Sequence, residues 1–214
     1  MIFRFERKHI APGRYRYYFT GAGVHGAADI VPADESRRRL QSSGFDRDFA
    51  VTMLTGLGVL GGEAGQTQQR GSNVRMKAVA SYDLGNGDVP ICSCAQKGSN
   101  FFNGFSFFSL AFEGKTVDVY EIGFGRKGIY WCIYADEAPI AVFSMDMYTK
   151  GYGSGYTVYC EDWVKPEMLG IIGILMDVTH NPPNDGCNTY HTLNTWQKAL
   201  KEKYPAAFMA RFQN

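Results

Sequence analysis

The sequence predicts a mainly β protein of the α+β class. The predicted fold is a closed antiparallel β-barrel around a central apolar helix, followed by a C-terminal amphipathic helix. Between Lys115 and Cys160, strand-like segments recur at about ten-residue spacing with turn residues between them, a pattern typical of a β-sandwich or barrel. The next segment, Met168–Val178, is apolar on every face of a helix and must be buried all round. A helix inside a barrel satisfies both observations.

The composition favours one β-rich core. Hydrophobic residues make up 45% of the 214 residues and charged residues 20%, and the 25 glycines, 13 tyrosines and 15 phenylalanines suit turns and strands. The formal net charge is +1, so the bulk charge indicates neither a nucleic-acid partner nor an anionic membrane, and only local clusters of charge bear on binding. We expect one domain over residues 1–214 and no nucleic-acid binding.

The N-terminal half carries less regular patterns. Two strands are predicted at Ile2–Phe5 and Tyr15–Phe19, on either side of a Pro-Gly turn. Residues 33–54 predict a helix, because apolar residues recur at every fourth position from Phe45. Residues 55–73 are rich in Gly and Gln and predict an inserted loop. Strand patterns return between Val74 and Phe112.

The C-terminal half is more regular. Four strands joined by turns are predicted, at Val117–Phe124, Ile129–Tyr134, Ile140–Met147 and Tyr156–Cys160. Pro166 suits the first turn of the apolar helix, and the Pro- and Gly-rich residues after Asn181 end it. A helical extension is predicted at about 182–214. Within it, Thr192–Tyr204 forms an amphipathic helix with Leu193, Trp196 and Leu200 on one face.

The cellular location is predicted from three patterns that the sequence does not show: a signal peptide, a membrane span and a disulfide framework. Charges interrupt the first residues, so no signal peptide is expected. The longest apolar run near the C-terminus, Met168–Met176, is roughly half of the ~20 residues that a bilayer span requires. The five cysteines are odd in number and show no disulfide framework, which favours reduced thiols. We expect a soluble, cytoplasmic protein without a transmembrane segment; its oligomeric state stays open.

Motifs for cofactor, metal or catalytic chemistry are weak. Gly56–Gly61 has the spelling of a dinucleotide-binding loop but lacks the following amphipathic helix. Cys92 and Cys94 are too close together for a typical zinc site, and His180, Cys187 and His191 would need a fourth ligand. No nucleophile elbow, triad or carboxylate pair is supported by spacing. We therefore expect no cofactor, no metal and no catalytic residue.

Basic clusters are the remaining candidates for a binding site. Arg37, Arg38 and Arg39 are consecutive, and Arg126 and Lys127 occupy a predicted hairpin tip. Both clusters carry groups that bind phosphate. The alternative for each is a solvated surface without a ligand.

Part of the chain resembles the tubby-like superfamily. The resemblance lies in Val119–Tyr134, Ile140–Phe143, Tyr156–Tyr159 and the apolar helix ending in Asp177, about a third of the chain. This superfamily includes the tubby C-terminal domain, the plant LURP-one-related proteins and the phospholipid scramblases. The resemblance implies a twelve-stranded barrel enclosing a hydrophobic helix. In this superfamily, tubby domains bind phosphoinositide headgroups through basic residues and scramblases act at membranes, but their headgroup ligands do not map onto particular positions of this sequence.

These observations leave three functions open. The leading hypothesis is a non-enzymatic binding or scaffold module for anionic lipid headgroups or a protein partner. The second is an enzyme whose site is assembled from distant residues. The third is a protein-interaction module that uses the C-terminal helix around Trp196.

Overall fold

The computed structural model describes residues 1–11, 14–21, 24–34, 37–43, 50–55, 76–86, 89–99, 105–112, 114–151, 153–180 and 189–212. Within these residues the protein is mainly β, with an antiparallel sheet and few helical residues, as the sequence predicts. The strands are β1 Ile2–Ala11, β2 Arg14–Gly21, β3 Val24–Asp34, β4 Arg37–Ser43, β5 Ala50–Thr55, β6 Met76–Asn86, β7 Val89–Ser99, β8 Ser106–Phe112, β9 Lys115–Gly125, β10 Ile129–Ala135, β11 Ala138–Met145, β12 Tyr148–Thr149, β13 Ser154–Cys160, β14 Thr189–Tyr190 and β15 Leu193–Asn194. The helices are α1 Pro166–His180, α2 Lys198–Lys201 and α3 Ala206–Ala210.

The main sheet follows the chain. From β1 to β11, each strand pairs antiparallel with the next along the sequence. β13 then pairs with β11 on one side and with β1 on the other, where Ile2–Arg7 lies opposite Ser154–Tyr159. β15 adds to β9, and β12 and β14 form a separate two-stranded pair. The N-terminal strand therefore lies beside the strand that precedes α1.

Local turn chemistry explains the best-predicted hairpins. The β9–β10 turn has Gly125 and Gly128 at φ +64° and +144°, a region that side chains disfavour. The β10–β11 turn uses Asp136 and Glu137, both at positive φ. Positive φ at both central residues of a two-residue turn matches the twist of the flanking strands. The four strands predicted between Val117 and Cys160, and the turns between them, are confirmed as β9, β10, β11 and β13.

Helix α1 contributes one side of a large apolar core. Its residues from Leu169 to Asp177 are buried, and they cluster with inward-facing side chains of β1, β2, β9, β10, β11 and β13. Gly173 allows the closest approach, since a Cβ there would lie 2.8 Å from the Phe143 ring and 3.1 Å from the Phe5 ring. The prediction of an apolar helix beginning at Pro166 is confirmed.

A second core forms on the opposite face of the same strands. Side chains alternate between the two faces along a strand. Trp131 and Ile133 of β10 therefore join the α1 side, whereas Cys132 joins the other. There it packs with Leu200 of the α2 region and with Phe208 and Met209 of α3. The C-terminal tail is thus a cover for its own sheet.

The helix predicted over residues 33–54 is wrong. This region contains the end of β3, all of β4 and most of β5. β4 pairs with β3 on one side and with β5 on the other, so its backbone groups bond to neighbouring strands instead of within a helix. The helix was predicted from apolar residues at every fourth position, and two of these, Phe45 and Phe49, lie outside the described residues. Most of the predicted insertion at 55–73 also lies outside them.

The helix predicted over Thr192–Tyr204 is also wrong in its extent. Its first residues form β15, which is extended because it pairs with the end of β9. Helix α2 covers only Lys198–Lys201, and Pro205 lies at the start of α3. Two short helices therefore stand in place of the single amphipathic helix.

Candidate functional site at the hairpin end of the sheet

Cross-strand registers bring several turns to one end of the sheet. Tyr130 pairs with both Ile122 and Ser144, and Met145 pairs with Tyr156. The β9–β10 turn, the segment after β11 and the segment before β13 consequently lie at the same end, which we name the hairpin end. The opposite end carries the start of β9 and the segment between β13 and α1.

The hairpin end carries exposed basic side chains. Arg126 and Lys127 occupy the β9–β10 turn, and Lys150 lies in the segment between β12 and β13; all three are exposed. The turn is fixed by its own backbone, because the Phe124 amide donates to the Gly128 carbonyl at 2.9 Å and the Lys127 amide donates to the Phe124 carbonyl at 3.2 Å. The two charges at the tip are thus presented from a defined hairpin.

Exposed aromatic side chains lie at the same end. Tyr148 and Tyr190 are direct cross-strand partners in the β12–β14 pair and are 51% and 55% exposed. Trp196 follows β15 and is 83% exposed. Exposing a large indole ring to water is unfavourable. Exposed rings of this kind often mark interaction surfaces.

Backbone pairing sets the position of Trp196. Leu193 pairs with Gly125, directly beside the basic turn. The Thr195 amide donates to the Gly123 carbonyl at 2.9 Å, and the Gly123 amide donates to the Thr195 hydroxyl at 2.9 Å. Glycine is required at 123 because a Cβ would overlap the Leu193 backbone. Because β15 runs antiparallel to β9, Trp196 lies beyond Thr195, on the side of Gly123 that points away from the Arg126–Lys127 turn.

One acidic group at this end is already neutralised. The Arg4 guanidinium donates to Asp146 from Nη1 at 2.9 Å, and its Nη2 also contacts the carboxylate. The hydrogen bond to Asp146 raises the pKa of Arg4. Asp146 consequently offers little repulsion to an approaching anion.

The structure separates the two basic clusters that the sequence singles out. Arg37, Arg38 and Arg39 lie in β4, whereas Arg126 and Lys127 follow β9. Four strands stand between β4 and β9 in the order of the sheet. The two clusters therefore do not form a joint site along neighbouring strands, and the second cluster belongs to the hairpin end.

A buried polar cluster lies within the α1 core. The Asp177 carboxylate accepts bonds from the Tyr156 hydroxyl at 2.5 Å, the Tyr17 hydroxyl at 2.8 Å and Arg7 Nη1 at 2.7 Å. Asp177 is completely buried and Arg7 is 4% exposed. Burial raises the pKa of Tyr17 well above its ordinary value. Burial alone lowers the pKa of Arg7, but Asp177 and Tyr17 offset it and the net direction is upward.

This cluster has the properties of a structural element. Both carboxylate oxygens of Asp177 accept bonds from buried donors, so the charge that α1 carries into the core is compensated. Near the cluster, His191 shares a 2.8 Å hydrogen bond with Thr149, and burial lowers its pKa. We infer that the buried ion pair between Arg7 and Asp177 stabilises the fold and has no role in binding or catalysis.

Groups for metal or thiol chemistry are not assembled in the described residues. No cluster of three or more potential metal ligands occurs there. Burial raises the pKa of the Cys132 thiol, and it raises that of Cys160 to about 11, so both free thiols are protonated at neutral pH. Cys92, Cys94 and Cys187 have no described side chain. None of the helices in the described part is both long and apolar enough to cross a bilayer.

Sequence reasoning identified Arg126 and Lys127 but missed their aromatic neighbours. The sequence predicts Trp196 on one face of an amphipathic helix, with Leu193 and Leu200, and gives no signal for Tyr148 or Tyr190. Neither placement has a local signal, since both depend on short strand pairs that join distant segments. Asp177 did have a signal, because a lone acid in an apolar helix requires a buried partner.

Comparison with known proteins adds no assignment. No family model, no curated protein and no solved structure matches the chain. The function must therefore be argued from the hairpin end itself.

Proposed function

We propose that this chain is a non-enzymatic binding module with a tubby-like barrel, and that its hairpin end binds anionic lipid headgroups. One observation carries the proposal: exposed basic and exposed aromatic side chains meet at one end of the sheet. Binding at a membrane surface gives both kinds of side chain a function.

The barrel is supported by strand pairing and burial. A sheet whose strands pair in chain order becomes closed when its last strand pairs with its first. β13 and β1 supply such a pair, with six residues of β1 opposite β13. Helix α1 would occupy the interior of this barrel, because its buried residues pack against inward-facing rings from β1 and β11. This arrangement is the one that the tubby-like resemblance implies.

Lipid binding follows from the chemistry of the hairpin end. Lys and Arg near an anionic bilayer each contribute about 1 kcal/mol, a contribution that salt reduces. Tyr and Trp rings prefer the headgroup region, where the ring leaves water and its polar group stays hydrated. Arg126 and Lys127 supply the charges, and Tyr148 and Tyr190 supply exposed rings at the same end of the sheet. The tail, in contrast, covers its own sheet and gives the interaction-helix hypothesis little surface.

Neutralising the tip tests the proposal. We expect Arg126→Gln with Lys127→Gln to lower binding to vesicles of phosphatidylcholine and phosphatidylserine by about thirtyfold, since two charges contribute about 2 kcal/mol. Co-sedimentation near physiological salt measures the bound fraction, with pure phosphatidylcholine vesicles as the neutral reference. Wild-type protein should prefer the anionic vesicles.

A matched variant at the other end of the sheet serves as the control. Lys115 and Lys165 lie there beside the exposed Trp163. Lys115→Gln with Lys165→Gln removes the same charge and should leave vesicle binding nearly unchanged. Equal losses in both double variants would indicate a non-specific charge effect. Equal binding of wild type to neutral and anionic vesicles, or binding to neither, would reject lipid binding and leave a protein partner as the better hypothesis.

A further inference from the structure

A short strand pair at the hairpin end holds two distant segments of the chain together. β12 and β14 pair over two residues each, with Tyr148 opposite Tyr190. Directly after this pair, the His191 amide donates to the Met147 carbonyl at 2.8 Å. A pair of this length is marginal by itself, because few backbone bonds oppose the entropy of two free segments. We name these two segments the clasp, residues 147–149 and 189–191.

A side-chain hydrogen bond crosses the clasp. His191 Nε2 lies 2.8 Å from Thr149 Oγ1. Thr149 is only 6% exposed and His191 is half-buried, so the bond lies inside the clasp. A neutral imidazole can accept from the hydroxyl or donate to it, whereas an imidazolium can only donate. The bond can thus form in both charge states, and what separates them is the cost of burying a charge.

The surroundings of His191 oppose its protonation. Burial is the largest contribution, and it lowers the pKa of the ring from its ordinary value of 6.5. Arg7 of β1 lowers this pKa further, whereas Asp177 of α1 raises it. The Asp177 carboxylate already accepts bonds from three buried donors, so its negative charge is largely compensated. These donors are Arg7, Tyr17 and Tyr156.

Further charged and titratable groups lie around the clasp. Asp146 directly precedes it and pairs with Arg4. The raised pKa values of Arg7 and Tyr17 keep the first charged and the second neutral over the range in which histidine titrates. Three other groups, in the clasp or next to it, are exposed: Tyr148, Lys150 and Tyr190.

We propose that the clasp is a pH-sensitive element that opens when His191 is protonated. In the closed clasp a charged ring is half-buried beside Arg7, whereas in the open clasp it is hydrated. Protons therefore bind more tightly to the open form, and acidification favours opening. The closed form keeps its full stability above about pH 6.5 and loses stability as the pH falls below that value.

Opening would change the hairpin end. The clasp holds Tyr148 beside Tyr190, so opening separates two of the exposed rings at this end. A consequence for vesicle binding rests on the proposed function, whereas the opening itself does not. The opening is therefore tested without lipid, and failure of lipid binding leaves the clasp proposal intact.

Amide hydrogen exchange followed by NMR measures the opening. The reporter is the backbone amide of residue 191, which exchanges when its bond to Met147 is broken. After correction for the intrinsic exchange rate, we expect its protection to fall severalfold between about pH 8 and about pH 5. His191→Gln keeps a side chain that can bond to Thr149 but cannot titrate, so its protection should stay constant.

The exposed His9 of β1 provides the matched control. His9→Gln should retain the pH dependence of the wild type. Constant protection in the wild type, or an equal fall in His191→Gln, would overturn the proposal, because the pH dependence would then be absent or belong to other groups.

The ring titration of His191 in the wild-type chain keeps the test decisive if His191→Gln does not fold. We expect its midpoint below pH 6.5, and we expect the NMR contacts between Tyr148 and Tyr190 to fade as the ring is protonated. A midpoint at or above pH 6.5, or contacts that persist with a protonated ring, would contradict the proposal.

Discussion

Asp177→Ala is expected to destabilise the protein by about 3–5 kcal/mol, because it removes the carboxylate that pairs with a buried guanidinium. Arg7 Nη1 lies 2.7 Å from Asp177 Oδ2, and neither side chain reaches solvent appreciably. Tyr17 and Tyr156 would lose their acceptor in the same step. Urea unfolding followed by tryptophan fluorescence measures the loss.

Two further variants separate charge burial from general damage. Asp162→Ala removes an acid that pairs with the N-terminal amine at 2.7 Å but is 89% exposed, so we expect little change in the midpoint. Arg7→Met combined with Asp177→Leu removes both charges and should recover part of the stability that Asp177→Ala loses. A loss below about 1 kcal/mol for Asp177→Ala would show that the ion pair is not buried as described.

Phe5→Ala is the second substitution with a large expected effect, about 3–5 kcal/mol. The Phe5 ring is fully buried and lies 5.0 to 5.8 Å, between ring centroids, from Phe19, Tyr17, Tyr156 and Phe143. Its removal would leave a cavity shared by β1, β2, β11, β13 and the Gly173 turn of α1. Thermal and urea unfolding both measure this loss.

Ile2→Ala is the matched control for Phe5→Ala. Ile2 belongs to the same strand but is 43% exposed, so its truncation should cost much less. Phe5→Leu should fall between the two, since a branched aliphatic side chain refills part of the space. If Phe5→Ala were no more damaging than Ile2→Ala, β1 would not be the inner strand that its burial pattern indicates.

The sequence predicted best where the deciding interactions are local. The β9–β10 hairpin depends on glycines at positive φ and on alternating residues, and both can be read directly from the chain. Helix α1 was predicted because its residues are apolar on every face and Pro166 suits a helix start.

Prediction failed where pairing between distant segments decides the structure. Arg37–Ser43 has no strong strand pattern of its own, yet it is a strand because β3 and β5 flank it. Leu193 and Asn194 were assigned to a helix, but their pairing with β9 holds them extended. The partners of Asp177 likewise lie far away in sequence, in β1, β2 and β13. The hairpin end has the same origin, since strand registers gather its residues.

Solution NMR tests the proposed closure of the sheet around α1 most directly. We expect cross-strand backbone contacts between Phe3 and Val158 and between Phe5 and Tyr156, together with contacts from the Phe5 and Phe143 rings to Gly173. Contacts between β1 and β2 without any between β1 and β13 would show an open sheet. That result would contradict the proposed barrel and the tubby-like fold proposed with it.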